Sequence, residues 1–300
     1  MRMWWWIFAG LLLLTACESE GININETDFK DYSKLPNVTI SNVTKNISVV
    51  DNIEVIEVYT PEFNKSLNIG SFYVSDFGVE KSSNSNIINA LRNVIEDYDV
   101  VAFQGIRDHS ETVFQDFMRE ELPLYNYIIS ERIGRDSSKE QYAFIYKGFV
   151  LVDDFFVYDD YNDVFEREPF IAKFNVEGYE FIIIQIHVKS VDAQEEIKEL
   201  QRVVDFTRGY FGINDIFIMG NLYADDPYYF DGSSLKDYNW IIGEGLDTLT
   251  GLSHGRFDVI IDTKNTDGLI TKSEVDVYSN DRDLVQGVSS NYPVMMRIEI

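Results

Sequence analysis

The sequence is poor in cysteine, in histidine and in positive charge, and each shortage excludes something. One cysteine among 300 residues makes no internal disulfide and no cysteine-rich zinc module. The 3 histidines leave little for a histidine-based metal centre, and His109 and His254 sit in turn-like contexts without metal-ligand spacing. Lys and Arg total 25 against 51 Asp and Glu, a net charge of −26. No polyanion is held by bulk attraction to such a chain; one can bind only locally or through metal ions. The N-terminal apolar run, Trp4 to Leu14, has 11 residues, short of the ~20 that span a bilayer as a helix, and no later segment is apolar enough to do so. What is present is ordinary globular material. Hydrophobic residues make up 45% and charged residues 25%, too apolar for a wholly disordered chain. The length suits one large domain or two small ones, with a core that needs no staples.

The first segment reads as an address. Residues 1–17, MRMWWWIFAGLLLLTAC, start with the charge of Arg2, continue apolar and end on small residues before Cys17. Leu14-Thr15-Ala16-Cys17 resembles the bacterial and archaeal lipoprotein box. That resemblance implies a signal peptide over 1–16, lipidation of Cys17 and an extracytoplasmic, membrane-anchored protein. The plain alternative is a buried cysteine after an ordinary signal peptide. Residues 17–52 read as a polar tether, with sequons at Asn25, Asn37, Asn42 and Asn46. A glycosylated stalk and a polar linker with chance sequons are both open, and both predict an exposed segment.

The folded domain is expected over 53–300. IEVIEVY (53–59) alternates well enough for a short strand. LNIGSFYV (67–74) and DVVAFQG (99–105) read as buried strands, with a helix between them over 85–98 carrying Ile87, Ile88, Leu91, Val94 and Ile95 at helical spacing. A helix follows at 110–122, then three strands in YNYIISERIG, QYAFIYK and FVLVDDFFVY. PFIAKFNV and YEFIIIQIHV flank Glu177-Gly178, a hairpin signal. An amphipathic helix over 192–212 precedes strands at DIFIMGN (215–221), RFDVIID (256–262) and YPVMMRIEI (292–300). Strands and helices without strict βαβ alternation point to two packed mixed β-sheets with helices outside, an α/β (α+β) arrangement and not a Rossmann sheet.

The order of motifs is the most specific signal. SFYV, DVVAFQGIRD, IISERIGR, FEREPFIAKF, IIIQIHVKS, IFIMGNLYAD, GRFDVII and SSNYPV follow one another over roughly 67–300. This succession resembles deoxyribonuclease I and the wider endonuclease/exonuclease/phosphatase superfamily. The resemblance implies a four-layer α/β/β/α sandwich and phosphodiester hydrolysis with a divalent metal, Mg²⁺ or Mn²⁺, and two His–carboxylate pairs. It implies further that Glu131 and His187 form one such pair, that Asp258 belongs to the other, and that Arg107 and Arg167 contact DNA backbone and phosphate. Asp225 keeps the last acid of the strand-end motif. The rest departs from the pattern at Tyr73, Gly105, Asn221, Tyr223, Ser290 and Asn291. Glycine has no ligand atom, and asparagine neither balances metal charge nor shuttles a proton near pH 7. Plain structural roles stay open for the retained residues: a hydrogen-bonded histidine at a strand end, with Glu131 as its partner, and ion pairs for the two arginines.

A second constellation is acidic. Asp159, Asp160 and Asp163 cluster just before the REP motif, where the resemblance implies a calcium loop, and Asp247 stands where it implies a second calcium site with Gly251 and Ser253 in place of ligands. A solvated acidic turn is the plain alternative. The expectation is therefore a membrane-anchored domain of deoxyribonuclease I type that no longer hydrolyses phosphodiesters and binds a protein or small ligand, with structural Ca²⁺. The alternative is a working metal-dependent endonuclease or phosphodiesterase acting on nucleic acid, with a site rebuilt from Asp225, Asp226, Asp258, Glu131 and His187. A Mg²⁺- or Mn²⁺-dependent nuclease assay separates the two.

Overall fold

Most strands of the two large sheets carry apolar residues on both faces, and these are buried in the computed structural model, which describes residues 47–50, 53–56, 65–224, 235–243, 245–263 and 268–300. The chain divides into two units, Met1–Tyr59 and Thr60–Ile300. In the first, β1 (Ile47–Val50) pairs antiparallel with β2 (Ile53–Ile56). IEVIEVY thus holds a strand, within the first unit.

The second unit holds two six-stranded mixed sheets. One has the order β13-β14-β3-β4-β6-β5. Its strands are β3 (Ser66–Phe77), β4 (Val100–Ile106), β5 (Tyr125–Ile129), β6 (Gln141–Lys147), β13 (Ile270–Val275) and β14 (Val294–Glu299). The other has the order β11-β12-β10-β9-β8-β7, from β7 (Leu151–Val157), β8 (Phe170–Val176), β9 (Tyr179–His187), β10 (Ile216–Asn221), β11 (Asn239–Trp240) and β12 (Asp258–Asp262). Leu67, Ile69, Val100, Ala102, Phe144, Phe174, Ile183, Met219, Ile260 and Met296 form one core cluster between the sheets. Their neighbours one position on, such as Phe72, Val101 and Phe103, face outward into a second cluster under α2 (Ser85–Glu96) and α3 (Val113–Glu121). Ile182, Ile184, Ile218 and Val259 do the same under α4 (Ala193–Phe211). The short helices α1 (Val79–Ser82) and α5 (Arg282–Val288) complete the unit. The result is the expected helix–sheet–sheet–helix sandwich. Among the described residues no helix is long and apolar enough to cross a membrane.

Local chemistry sets the element ends. The Asn84 side chain caps α2 by accepting from the backbone N–H of Asn86 and Ile87. The β8–β9 turn takes Glu177 and Gly178 at φ 53° and 94°, the double left-handed pair of a two-residue hairpin. The expected helix at 110–122 is shorter, Val113–Glu121, because Asp108 accepts from the N–H groups of Ser110, Thr112 and Val113 and holds the entry as a turn.

Candidate functional site

The same alternation that fills the core carries polar residues to one end of the sandwich. Counting along the inward face, β3 reaches Tyr73, β4 reaches Gln104, β9 reaches His187, β10 reaches Asn221, and β12 begins at Asp258. Glu140 immediately precedes β6. His187, Asn221 and Asp258 lie side by side across three strands, because Asn221 is in register with both of the others. All three are buried.

The partner of His187 is Glu140, not Glu131. His187 Nδ1 lies 2.7 Å from Glu140 Oε1, while Glu131 is exposed and its carbonyl accepts from the Ser130 hydroxyl. Within the SERIGR segment Ser130 and Ile133 turn inward while Glu131 faces out, and Glu140 arrives through the bridge between Ile133 and Glu140. The expected Glu131–His187 pair is therefore corrected. A signal for Glu140 was present: one charged residue directly ahead of the apolar strand QYAFIY, where an unpaired carboxylate would be costly. Burial lowers the His187 pKa and the Glu140 charge raises it only in part, which favours the neutral ring. Burial pushes the Glu140 carboxyl up, but His187, Arg167 and Arg107 outweigh it and hold it below its ordinary value. The carboxylate only accepts, so Nδ1 of the ring carries the hydrogen and Nε2 keeps a lone pair.

The two arginines serve this carboxylate. Arg167 is 4% exposed. Its Nε lies 3.3 Å from Glu140 Oε1 and donates to the His187 carbonyl at 3.1 Å, and its second terminal nitrogen donates to the Val188 carbonyl at 3.3 Å. It is a fold-holding residue. Arg107 is half-exposed, with Nε 3.4 Å from Glu140 Oε2 and a terminal nitrogen 2.7 Å from Asp76 Oδ1. Asp76 thus pairs with the exposed end of Arg107.

The other half of the site is uncharged. Asn291 Nδ2 donates to Asp258 Oδ2, and Ser290 Oγ donates to Asn291 Oδ1 at 2.6 Å. Burial pushes the Asp258 carboxyl up to about 8, and the Asn291 hydrogen bond lowers it only in part. Asp258 Oδ1 has no hydrogen-bond partner among the described residues. The Asn221 side chain accepts from the Tyr223 N–H at 3.3 Å. Aromatic rings fill the space around the imidazole: the Tyr73 ring lies 4.5 Å from that of His187, and the Tyr223 ring lies 6.3 Å away and nearly parallel.

Gly105 is a backbone departure as much as a missing ligand. It sits at φ +87°, and a Cβ there would lie 2.3 Å from the Val74 carbonyl oxygen. The β3–β4 ladder skips from Tyr73 to Phe77, and the β4–β6 ladder from Phe103 to Ile106. An L-residue with a metal-binding side chain does not fit this bulge.

Several of the remaining acids make local contacts. Asp160 Oδ2 accepts from the Phe165 N–H at 2.7 Å, and the Asp163 carbonyl accepts from Arg135 at 2.8 Å. Asp247 accepts from the N–H of Leu249 and Gly255, and its other oxygen lies 2.5 Å from His254 Nδ1. Among the described residues no group of three His, Cys, Asp or Glu side chains is placed to hold a metal ion. Asp225 and Asp226 lie outside the described residues, as does Cys17. Mg²⁺ asks for one or two carboxylates with free oxygens in octahedral geometry. Here Glu140 is spent on two guanidinium groups and an imidazole, and burial disfavours the charged form of Asp258. The described residues do not fit the metal that the motif order implies.

No protein-family model matches the chain. Deoxyribonuclease-1 of Bos taurus is 30% identical over 260 residues, covering 76% of this chain and 91% of the relative. Deoxyribonuclease-1 of Homo sapiens is 29% identical over 265 residues, covering 78% and 93%. Among solved structures, an endonuclease/exonuclease/phosphatase protein from Bacteroides vulgatus matches with TM-score 0.58 at 15% identity, covering 78% of this chain and 99% of that one. A mannosyl-6-phosphatase of Bacteroides thetaiotaomicron matches with TM-score 0.56 at 15% identity, covering 77% and 98%. At such identities these structures speak for the fold: the α/β sandwich of the endonuclease/exonuclease/phosphatase proteins.

Proposed function

The chain belongs to the deoxyribonuclease I family, and from that membership we propose that its groove has stopped hydrolysing phosphodiesters and binds a protein or small ligand instead. The observation that carries this reading is the row His187–Asn221–Asp258. With a neutral imidazole, an amide and a carboxyl held near 8, the row brings almost no negative charge to a metal at pH 7. A hydrolase of this type also needs groups to move protons to and from water and the leaving oxygen, and losing one such group costs ~10²–10⁴ in rate. His187 retains an oriented ring, but its counterpart position is Asn291, which moves no proton. Asp76, paired with Arg107 at the exposed end of the site, adds a negative charge that a phosphate would meet there.

The intact Glu140–His187 pair favours the second reading, a metal-dependent phosphodiesterase that draws its metal ligands from Asp225 and Asp226. Incubation of the purified protein with supercoiled plasmid and Mg²⁺ or Mn²⁺ decides between them: the first reading expects no nicking above buffer, and the second expects nicking that His187→Ala abolishes. To the same proposal belong a signal peptide over 1–16, a lipid anchor at Cys17 and a polar tether over 17–52, supported by the Leu14-Thr15-Ala16-Cys17 box.

A further inference from the structure

A cavity opens beside the site, and no charged side chain lines it. It measures about 410 Å³ and lies between the end of β3, the 249–253 loop and α5. That volume is in the range of roughly 300–1,000 Å³ that small ligands occupy. Its polar side chains are Ser75, Thr250, Ser253, Gln286 and Ser290, with Leu249 and Gly251 supplying apolar surface. No acid and no base lines it, in a chain with 51 acids and 25 bases. An anion finds no cation there, and a cation finds no carboxylate. Every polar side chain in the wall is a hydroxyl or an amide, able both to donate and to accept.

The wall continues inward as a chain of neutral hydrogen bonds. Ser75 Oγ lies 3.1 Å from Ser290 Oγ, Ser290 donates to Asn291 at 2.6 Å, and Asn291 donates to the buried Asp258. Gln286 Nε2 donates to the Thr250 carbonyl at 3.1 Å and fixes the loop against α5. Asp258 Oδ1, buried and without a partner among the described residues, ends this chain. The lining is thus held in place, and it can re-pair with ligand hydroxyls without desolvating a charge, the costly step in polar binding.

We propose that this cavity binds a neutral carbohydrate, with its hydroxyls paired to Ser75, Ser253, Gln286 and Ser290 and a C–H face against Leu249. The proposal rests on the non-hydrolytic reading of the neighbouring groove and names the ligand class. The experiment titrates the full-length protein in EDTA, by calorimetry and by glycan array, with neutral mono- to tetrasaccharides, and in parallel with inorganic phosphate and a DNA oligonucleotide. The expected result is saturable binding of at least one neutral saccharide without metal, with no competition from phosphate. Gln286→Leu and Ser253→Trp, both at exposed positions, are expected to weaken it at least tenfold, and Ser253→Trp to leave the melting temperature in place. Absence of saccharide binding, or binding that both variants leave unchanged, overturns the proposal. Metal-dependent plasmid nicking by the same preparation would overturn the non-hydrolytic reading instead, so the two failures are told apart.

Discussion

Asp258 and Arg167 show how a single buried group behaves once its usual surroundings change. The Asp258 carboxyl is raised from 3.8 to about 8 by burial, and Glu196 from 4.5 to about 7 by the same cause. The folded chain holds these protons where the unfolded chain releases them. Their contribution to stability is therefore full below pH ~4 and is lost as pH climbs towards 8. Asp258→Asn keeps an acceptor for Asn291 and removes one titrating group. The melting temperature of the native chain is expected to fall between pH 5 and pH 8, and that of the variant to fall less; equal slopes in calorimetry would remove the assignment. Arg167 is a different case. Arg167→Met leaves Glu140 buried with one guanidinium fewer, and breaking a buried pair in this way costs about 3–5 kcal/mol. Urea denaturation checks the figure, and a loss below ~1 kcal/mol would mean that Arg167 is a surface residue in solution. The sequence displayed both residues in the REP and RFD motifs, yet it did not show that Arg167 turns inward. The motif SERIGR drew attention to Glu131, whereas the carboxylate that matters follows nine residues later, at Glu140. Sequence spacing does not reveal which side of a turn faces the core.

Elements were legible where apolar periodicity was long. The β8–β9 hairpin, α2 and α4 formed where their patterns placed them, because each buries a continuous apolar face. β13 and α5 went unrecognised: TKSE in β13 is polar and exposed, and α5 is only 7 residues long. The acidic clusters were legible, but the sequence could not show that Arg135 would donate to the Asp163 carbonyl or that His254 would lie against Asp247. The β3–β4 bulge was invisible as well. Gly105 read as a missing ligand, but its φ of +87° and the Val74 carbonyl behind it make it a conformational requirement. Gly105→Ala is expected to destabilise the domain by at least about 1–2 kcal/mol, the cost of forcing an L-residue into the left-handed region. Gly105→Glu is expected to do the same without restoring metal binding. Chemical denaturation and metal titration of the two variants test this together; an unchanged midpoint would show that the bulge is pliable.

Across the molecule, the apolar layers and the polar end have followed different rules. Burying one Leu, Ile or Phe contributes about 1.5–3 kcal/mol, so the sandwich persists on its core whatever stands at its rim. Of the polar residues at the strand ends, those outside the Glu140–Arg167–His187 cluster contribute little to that core. The charge of −26 fits the same picture, since a protein that must hold DNA works against such a field. The proposed anchor at Cys17 has its own check: Cys17→Ser is expected to release the protein from the membrane fraction or block its maturation, and unchanged fractionation with unchanged N-terminal mass would rule the anchor out. The most direct measurement remains the nicking of supercoiled plasmid by the native protein at pH 7 with Mg²⁺, Mn²⁺ or Ca²⁺. A site whose His187–Asn221–Asp258 row favours uncharged groups predicts plasmid that stays supercoiled with every metal. Metal-dependent nicking that disappears in His187→Ala would contradict it.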